Sequence, residues 1–192
     1  MNKSELKGFI NSRELNDKSP AVILHEMILL PEFMDVAGRL MGADDPAMEQ
    51  QMLDEAKAAD TTQELFRMMR RGIVGPGLRV LREKLLQNDD ELTPLVKERV
   101  LTTGQDIFIE NAAYFLTGCR ENTTEWIMQH YNEVKSEYMK SMLCLVLGMR
   151  GEPEQIEFLM EEYQRFDRGF ADKPYQQGPL VALEDMLTRF YE

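Results

Sequence analysis

The sequence has few of the side chains on which metal centres and nucleophilic active sites depend. It contains two histidines and two cysteines in 192 residues. Cys119 and Cys144 form no CxxC pair, and neither His25 nor His130 belongs to an HExxH motif. No GxSxG turn marks a serine nucleophile. We therefore expect two reduced core thiols, no metal, no cofactor and no catalytic residue, and we favour a protein that is not an enzyme.

Long apolar runs and excess positive charge are also missing. The apolar stretch from Met142 to Met149 has eight residues, whereas a membrane-spanning helix needs about twenty. The start, MNKSELKGFINSREL, has no continuous apolar core of the kind that a secretory signal carries. Thirty-four acidic residues against twenty-two basic ones leave a net charge of -12, which disfavours binding to phosphate backbones. We expect a cytoplasmic protein that binds neither membrane nor nucleic acid.

Strand-like alternation is absent, and apolar residues recur instead at helical spacing. We therefore predict an all-α chain. The predicted helix starts are Ser19 with Pro20, Asp45 with Pro46, Thr61 or Thr62, Thr93 with Pro94, and Thr123 or Thr124. A further helix is predicted over residues 32–41, ended by Gly42. Residues 1–18 are polar and predict an arm or a short docking helix, followed by a single domain over 19–192.

The clearest helix pair lies between Lys140 and Tyr163. Its first helix is apolar on most sides, and Gly148 and Gly151 are predicted to end it. The second helix starts near Pro153. Its predicted apolar stripe is Ile156, Leu159, Met160 and Tyr163, and its predicted outward carboxylates are Glu154, Glu157, Glu161 and Glu162.

This helix pair repeats an earlier one. IENAAYFLTGCR, residues 109–120, matches MKSMLCLVLGMR, residues 139–150, at an offset of 30. EWIMQHY, residues 125–131, matches EFLMEEY, residues 157–163. A weaker echo aligns Ser141-Met142-Leu143 with Gly178-Pro179-Leu180. One such pair cannot bury its apolar face alone, so neighbouring pairs are expected to stack.

The repeated pattern, FLTGCRENTTEWIMQHY and LVLGMRGEPEQIEFLMEEY, resembles the HEAT-like α-helical repeats of bacteria. The resemblance covers residues 93–192. It implies an α-α superhelix of stacked antiparallel helix pairs, a right-handed curved scaffold that binds other macromolecules. The Trp, Leu-Gly and Tyr spacing of tetratricopeptide repeats does not recur.

One basic island stands out in the acidic chain, at residues 67–84. Gly75 and Gly77 precede a helix and can turn backbone amides toward an anion, with arginines close by in the sequence. The candidate ligand-binding residues are Arg70, Arg71, Gly75, Gly77, Arg79 and Arg82. The alternative interpretation is a glycine-rich turn whose arginines pair with the abundant acids. No Gly-Lys-Ser/Thr follows, so this is not a phosphate-binding P-loop.

Two other segments are candidates for partner binding. The connector over residues 167–180 is long for a helix–helix turn and carries Phe170, Tyr175 and Gln176, although its aromatics can equally fold back over the end of the stack. The acidic helix Glu152 to Glu162 can face a basic partner or simply solvent. Our first hypothesis is a non-enzymatic scaffold for an unidentified protein partner. The alternative is an anion-binding protein or enzyme that uses the basic island.

Overall fold

The structure, a computed structural model, describes residues 2–34 and 45–192. Within them it has eleven α-helices and no β-strand, which confirms the all-α prediction. The helices are α1 (Lys3–Asn11), α2 (Pro20–Leu29), α3 (Pro46–Ala58), α4 (Thr62–Met68), α5 (Gly75–Gln87), α6 (Asp89–Val100), α7 (Asp106–Gly118), α8 (Thr124–His130), α9 (Glu137–Arg150), α10 (Ile156–Gly169) and α11 (Gln177–Tyr191). Short 3-10 helices at Tyr131–Glu133, Pro153–Gln155 and Pro174–Gln176 follow α8 and precede α10 and α11. Among these helices, none combines the length and the apolar composition that crossing a bilayer requires.

Polar side chains start the helices at several predicted positions. Ser19, Asp45 and Thr61 each accept a hydrogen bond from a backbone N–H in the first turn that follows. Glu64 completes the cap of α4 by accepting from the Thr61 N–H. These starts are confirmed. Most of the helix predicted over residues 32–41, with its end at Gly42, lies outside the described residues.

The predicted start at Thr93 with Pro94 is wrong, because α6 begins four residues earlier, at Asp89. Only Asn88 separates it from the end of α5. The Thr93 hydroxyl donates to the carbonyl of Asp89 at 2.7 Å, so it bonds inside the first turns instead of capping them. Pro94 therefore lies within the helix, where it removes a single backbone donor.

The chain divides into two compact units. The terminal unit contains the described residues up to His25 and Asn122–Glu192, and the middle unit contains Glu26–Glu121. The boundary after Glu121 divides the first copy of the sequence repeat, whereas the second copy, α9 with α10, lies wholly in the terminal unit. One continuous domain over residues 19–192, preceded by an arm, stays a prediction.

In the terminal unit, α11 packs against α9, α10 and α1. A Cβ added at Gly148 on α9 would lie 2.3 Å from the Ala182 Cα on α11, and one added at Gly178 would lie 2.1 Å from the Ser141 carbonyl oxygen. Ser141 precedes Gly148 on α9, and their respective contacts Gly178 and Ala182 follow each other in the same order on α11. The two helices therefore run parallel. The triplets that align in the sequence echo also touch, at Ser141 and Gly178.

Gly148 does not end its helix as predicted, since α9 continues to Arg150. The glycine instead lets two helix backbones approach where any side chain would collide. Gly151 is the residue that follows the helix, and its N–H bonds to the Leu147 carbonyl at 2.7 Å.

In the middle unit, α5 packs against α3, α4 and α7, and α6 packs against α4 and α7. Gly75 and Gly77 were predicted to precede a helix, but they lie in its first turn, because α5 starts at Gly75. Gly75 has a φ of +59°, in the left-handed region that favours glycine. A Cβ added at Gly77 would lie 3.0 Å from the Met52 carbonyl carbon on α3, so this glycine permits close packing of α5 on α3.

Candidate functional site

The structure separates the arginines of the basic island. Arg70 and Arg71 follow α4 and are exposed, and Arg71 forms an ion pair with Glu55. The guanidinium of Arg70 lies 5.2 Å from the centre of the Phe66 ring. Arg79 and Arg82 are both on α5, but Arg79 is exposed and Arg82 is 2% exposed. The island is thus not one basic surface.

A cavity of about 180 Å³ in the middle unit brings part of the island together. Its lining includes Arg71, Gly75 and Arg82 from the predicted set, but not Arg70, Gly77 or Arg79. Most of the wall is apolar, from Met27, Met34, Ile73, Val74, Leu78 and Ile107. Glu110 and Asn111 of α7 complete the polar lining.

Arg82 is the unusual residue of this cavity. Its Nη1 lies 3.7 Å from the Met27 sulfur and 3.5 Å from the Met34 sulfur, both weak acceptors. Its guanidinium carbon lies 4.2 Å from the centre of the Tyr114 ring. Among the described residues, its buried Nε has no hydrogen-bond partner. Arg82 forms no ion pair with any residue that the structure describes, although Glu110 interacts with its charge at longer range.

Arg82 keeps its positive charge although its side chain is buried. Burial lowers the pKa of Arg82 to about 10, and the charges of Tyr114 and Glu110 partly offset that effect. The guanidinium is therefore protonated at neutral pH. Among the described residues, the guanidinium has two thioether sulfurs and an aromatic ring as its close neighbours, and these replace little of the hydration that a buried cation loses.

The terminal unit carries a different feature, an acidic groove of about 780 Å³. Carboxylates of α1, the Pro153–Gln155 turn and α10 line it, and no lysine or arginine does so. These carboxylates are Glu5, Glu154, Glu157 and Glu161. Apolar lining comes from Pro153, Ile156, Met160 and Tyr191. Glu154, Glu157 and Glu161 are exposed and form no ion pair with the described residues.

Glu162 differs from its neighbours on α10. It was predicted to face outward, but it is 8% exposed. It accepts hydrogen bonds from the Tyr131 hydroxyl and, at 2.7 Å, from Nη2 of Arg165. These two donors replace the water that the buried carboxylate loses. The prediction for Glu162 is wrong because Tyr131 and Arg165 donate hydrogen bonds that allow this carboxylate to be buried.

The aromatic residues of the connector pack on the protein itself. The rings of Phe170 and Tyr175 are 5.7 Å apart, and the Tyr175 ring stacks on Tyr138 at 5.9 Å. The Tyr175 carbonyl accepts from the Ser141 hydroxyl at 2.6 Å. Gln176 ends the last 3-10 helix and is half-buried. Partner binding by Phe170, Tyr175 and Gln176 stays a prediction.

The two cysteines are buried free thiols. Burial raises the pKa of the Cys144 thiol well above its usual range. In residues 2–34 and 45–192, no three His, Cys, Asp or Glu side chains come together as metal ligands would. Neither Cys119 nor Cys144 lines the cavity or the groove.

Sequence reasoning missed the cavity residues outside the basic island. No local pattern in the sequence links Met27, Met34, Glu110 or Asn111 to Arg82. The sequence signal that could have identified Arg82 as buried lies within α5 itself. Arg82 lies between Leu78, Leu81 and Leu85, at the spacing of the buried face, whereas Arg79 lies outside it.

When compared with models of protein families, with curated proteins and with solved structures, the chain gives no significant match.

Proposed function

We propose that this protein is a non-enzymatic interaction module of HEAT-like type, in which stacked helix pairs present the acidic groove to a basic segment of a protein partner. The observation that carries the proposal is the set of exposed carboxylates on the Pro153–Gln155 helix and α10, which form no ion pair with the described residues and lie beside apolar side chains. Such a surface complements an amphipathic helix that has lysine or arginine next to an apolar stripe. The parallel contact of α9 and α11 supports the stacking of successive units.

The apolar lining makes the groove more than a solvated acidic face. Met160 is half-buried, and it lies among the carboxylates that line the groove. An apolar partner side chain that covers Met160 and Tyr191 would bury its surface against the protein and so remove it from water. The carboxylates would then fix the orientation of the partner and raise its association rate.

A synthetic amphipathic helix of leucine and lysine, about 18 residues or five turns long, provides a direct probe. We expect the triple variant Glu154→Gln, Glu157→Gln, Glu161→Gln to weaken its binding by about tenfold or more, measured by fluorescence anisotropy at about 0.1 M salt. Glutamine keeps the size of each side chain and removes only its charge.

The matched control makes the same change of net charge in the middle unit. Glu26, Glu83 and Glu98 are exposed, and their replacement by glutamine should change the affinity by less than about twofold. If the two triple variants lose affinity equally, the peptide responds only to net charge and the groove is not the docking site.

A further inference from the structure

We infer that the cavity around Arg82 binds a small monocarboxylate with an apolar body, held by the guanidinium and enclosed by the methionine and aliphatic side chains. This site is independent of the acidic groove, because every residue that lines the cavity belongs to the middle unit.

The geometry of Arg82 selects an anion. Within the described residues, its hydrogen bonds all involve Nη1, and both go to methionine sulfurs. Within the described residues the buried Nε has no hydrogen-bond partner, and Nε and Nη2 form one side of the guanidinium. That side presents two parallel N–H groups, which match the two oxygens of a carboxylate. Arg82 thus offers a buried donor for which the described residues supply no acceptor.

The first turn of α5 is less suited than Arg82 to receive an anion. A Cβ added at Gly75 would lie 2.4 Å from Oε1 of Glu49, so this carboxylate already lies beside the amino end of the helix. Gly77 is packed against the α3 backbone. These contacts favour Arg82 over the two glycines, and anion binding by the glycines stays a prediction.

The charges around the cavity favour a monoanion over a phosphate. Arg71 also lines the cavity, but it pairs with Glu55. Glu110 lines the same cavity and would repel a dianion more strongly than a monoanion. A phosphate needs several donors, whereas one guanidinium satisfies a carboxylate.

The size and walls of the cavity define the rest of the ligand. An apolar cavity of about 150 Å³ holds a benzene molecule, and this one measures about 180 Å³. The walls are thioether and aliphatic groups, which suit an alkyl or aryl group of about six carbons. Methionine side chains adapt to such shapes, so a family of small acids fits better than one rigid compound.

Hexanoate is the probe, titrated into the full chain by isothermal titration calorimetry. We expect Arg82→Met to lower its affinity by about 10- to 100-fold, because a hydrogen-bonded charge pair is lost while an unbranched apolar side chain remains in the core. Arg79→Met removes the same charge from an exposed position of the same helix and should leave the affinity unchanged within about twofold. 1-Hexanol, which has no charge, should bind the native protein at least about tenfold more weakly.

A second measurement does not depend on any variant folding. With 13C-labelled methionine methyl groups, hexanoate should shift the signals of Met27 and Met34 in the native protein, and inorganic phosphate should not. The proposal is overturned if hexanoate leaves both signals unmoved, which would mean that the cavity holds only solvent. Equal binding of hexanoate and hexanol, equal binding by Arg82→Met, or equal shifts with phosphate would overturn it as well.

Discussion

The acidic groove of the terminal unit and the Arg82 cavity of the middle unit use charge in opposite ways. The groove has four carboxylates that remain largely in water, where each is screened and inexpensive to keep. The cavity has one buried cation, Arg82, which is 2% exposed and has no carboxylate partner among the described residues. Four exposed charges therefore reveal less about binding than one buried charge does, because only the buried one is maintained against a free-energy penalty.

The largest loss of stability is expected at the contact between α9 and α11 in the terminal unit, where no space is left for a side chain. Gly148→Ala places a Cβ about 2.3 Å from the Ala182 Cα, and this collision of two helix backbones should lower the free energy of unfolding by about 3 kcal/mol. Urea unfolding followed by circular dichroism measures it. Gly8→Ala is the control, because nothing lies within 4 Å of its added Cβ, and it should be neutral or stabilising. Equal effects at both positions would show that α9 and α11 do not depend on close approach.

A buried charge that has a partner provides the contrast with Arg82. Asp89 in the middle unit is 2% exposed. It accepts from the backbone N–H of Arg120 at 2.6 Å and from its Nε at 2.9 Å. We expect Asp89→Asn to lower the free energy of unfolding by about 2 kcal/mol, less than for a fully buried pair because the Arg120 side chain faces solvent.

The effect of Asp89→Asn should depend on pH. Hydrogen bonds from the Arg120 side chain hold the pKa of Asp89 below its usual value. The carboxylate therefore stabilises the fold above its unfolded pKa of about 3.9, and this contribution is lost as the pH falls through the lower folded pKa. Urea midpoints of native protein and variant should differ clearly at about pH 7, and the difference should shrink as the pH falls below about 3.9. A difference that does not change with pH would exclude the Asp89 charge as its cause.

Replacing the unpaired charge should have the opposite sign. Arg82→Met removes a buried cation and fills the same space with an apolar side chain, so we expect the free energy of unfolding to rise by about 1–2 kcal/mol. Thermal melting without added ligand measures this change. A clear loss of stability would mean that the guanidinium is satisfied in the native state, and the contrast with Asp89 would then fail.

The smallest effect is expected in the acidic groove. The triple variant Glu154→Gln, Glu157→Gln, Glu161→Gln should change the free energy of unfolding by less than about 0.5 kcal/mol, and relief of like-charge repulsion favours a slight gain. Melting temperatures at low and high salt check this, because the native protein should gain more from salt than the variant does. A loss of about 2 kcal/mol would place these carboxylates in structural ion pairs.

The sequence allowed the helical class and many helix starts to be predicted, because capping and apolar spacing are local properties. Ser19, Asp45 and Thr61 act within their own first turns. Thr93 shows the limit. Thr93 followed by Pro94 is typical of a helix start, yet α6 begins at Asp89. The Asp89 carboxylate accepts a hydrogen bond from Arg120, which follows the end of α7. That contact spans 31 residues, so no local pattern contains it.

The candidate sites were predictable only in part, for the same reason. The basic island was visible, but its composition could not distinguish exposed Arg79 from buried Arg82 without the helix face on which each lies. Met34 and Glu110 reach the cavity through tertiary packing. The acidic helix was visible as well, but the parts of the groove from α1 and the end of α11 come from opposite ends of the chain. HEAT-like stacking and a cytoplasmic location stay predictions.

The most direct test of the central claim, that the chain has two separate recognition sites of opposite charge, is one methionine-methyl NMR spectrum of the full protein titrated with both probes. Met160 reports on the groove, and Met27 and Met34 report on the cavity. The account predicts that the basic peptide shifts only the Met160 signal and that hexanoate shifts only the signals of Met27 and Met34. Shifts of the same methyl groups by both probes, or no shift by either, would contradict it.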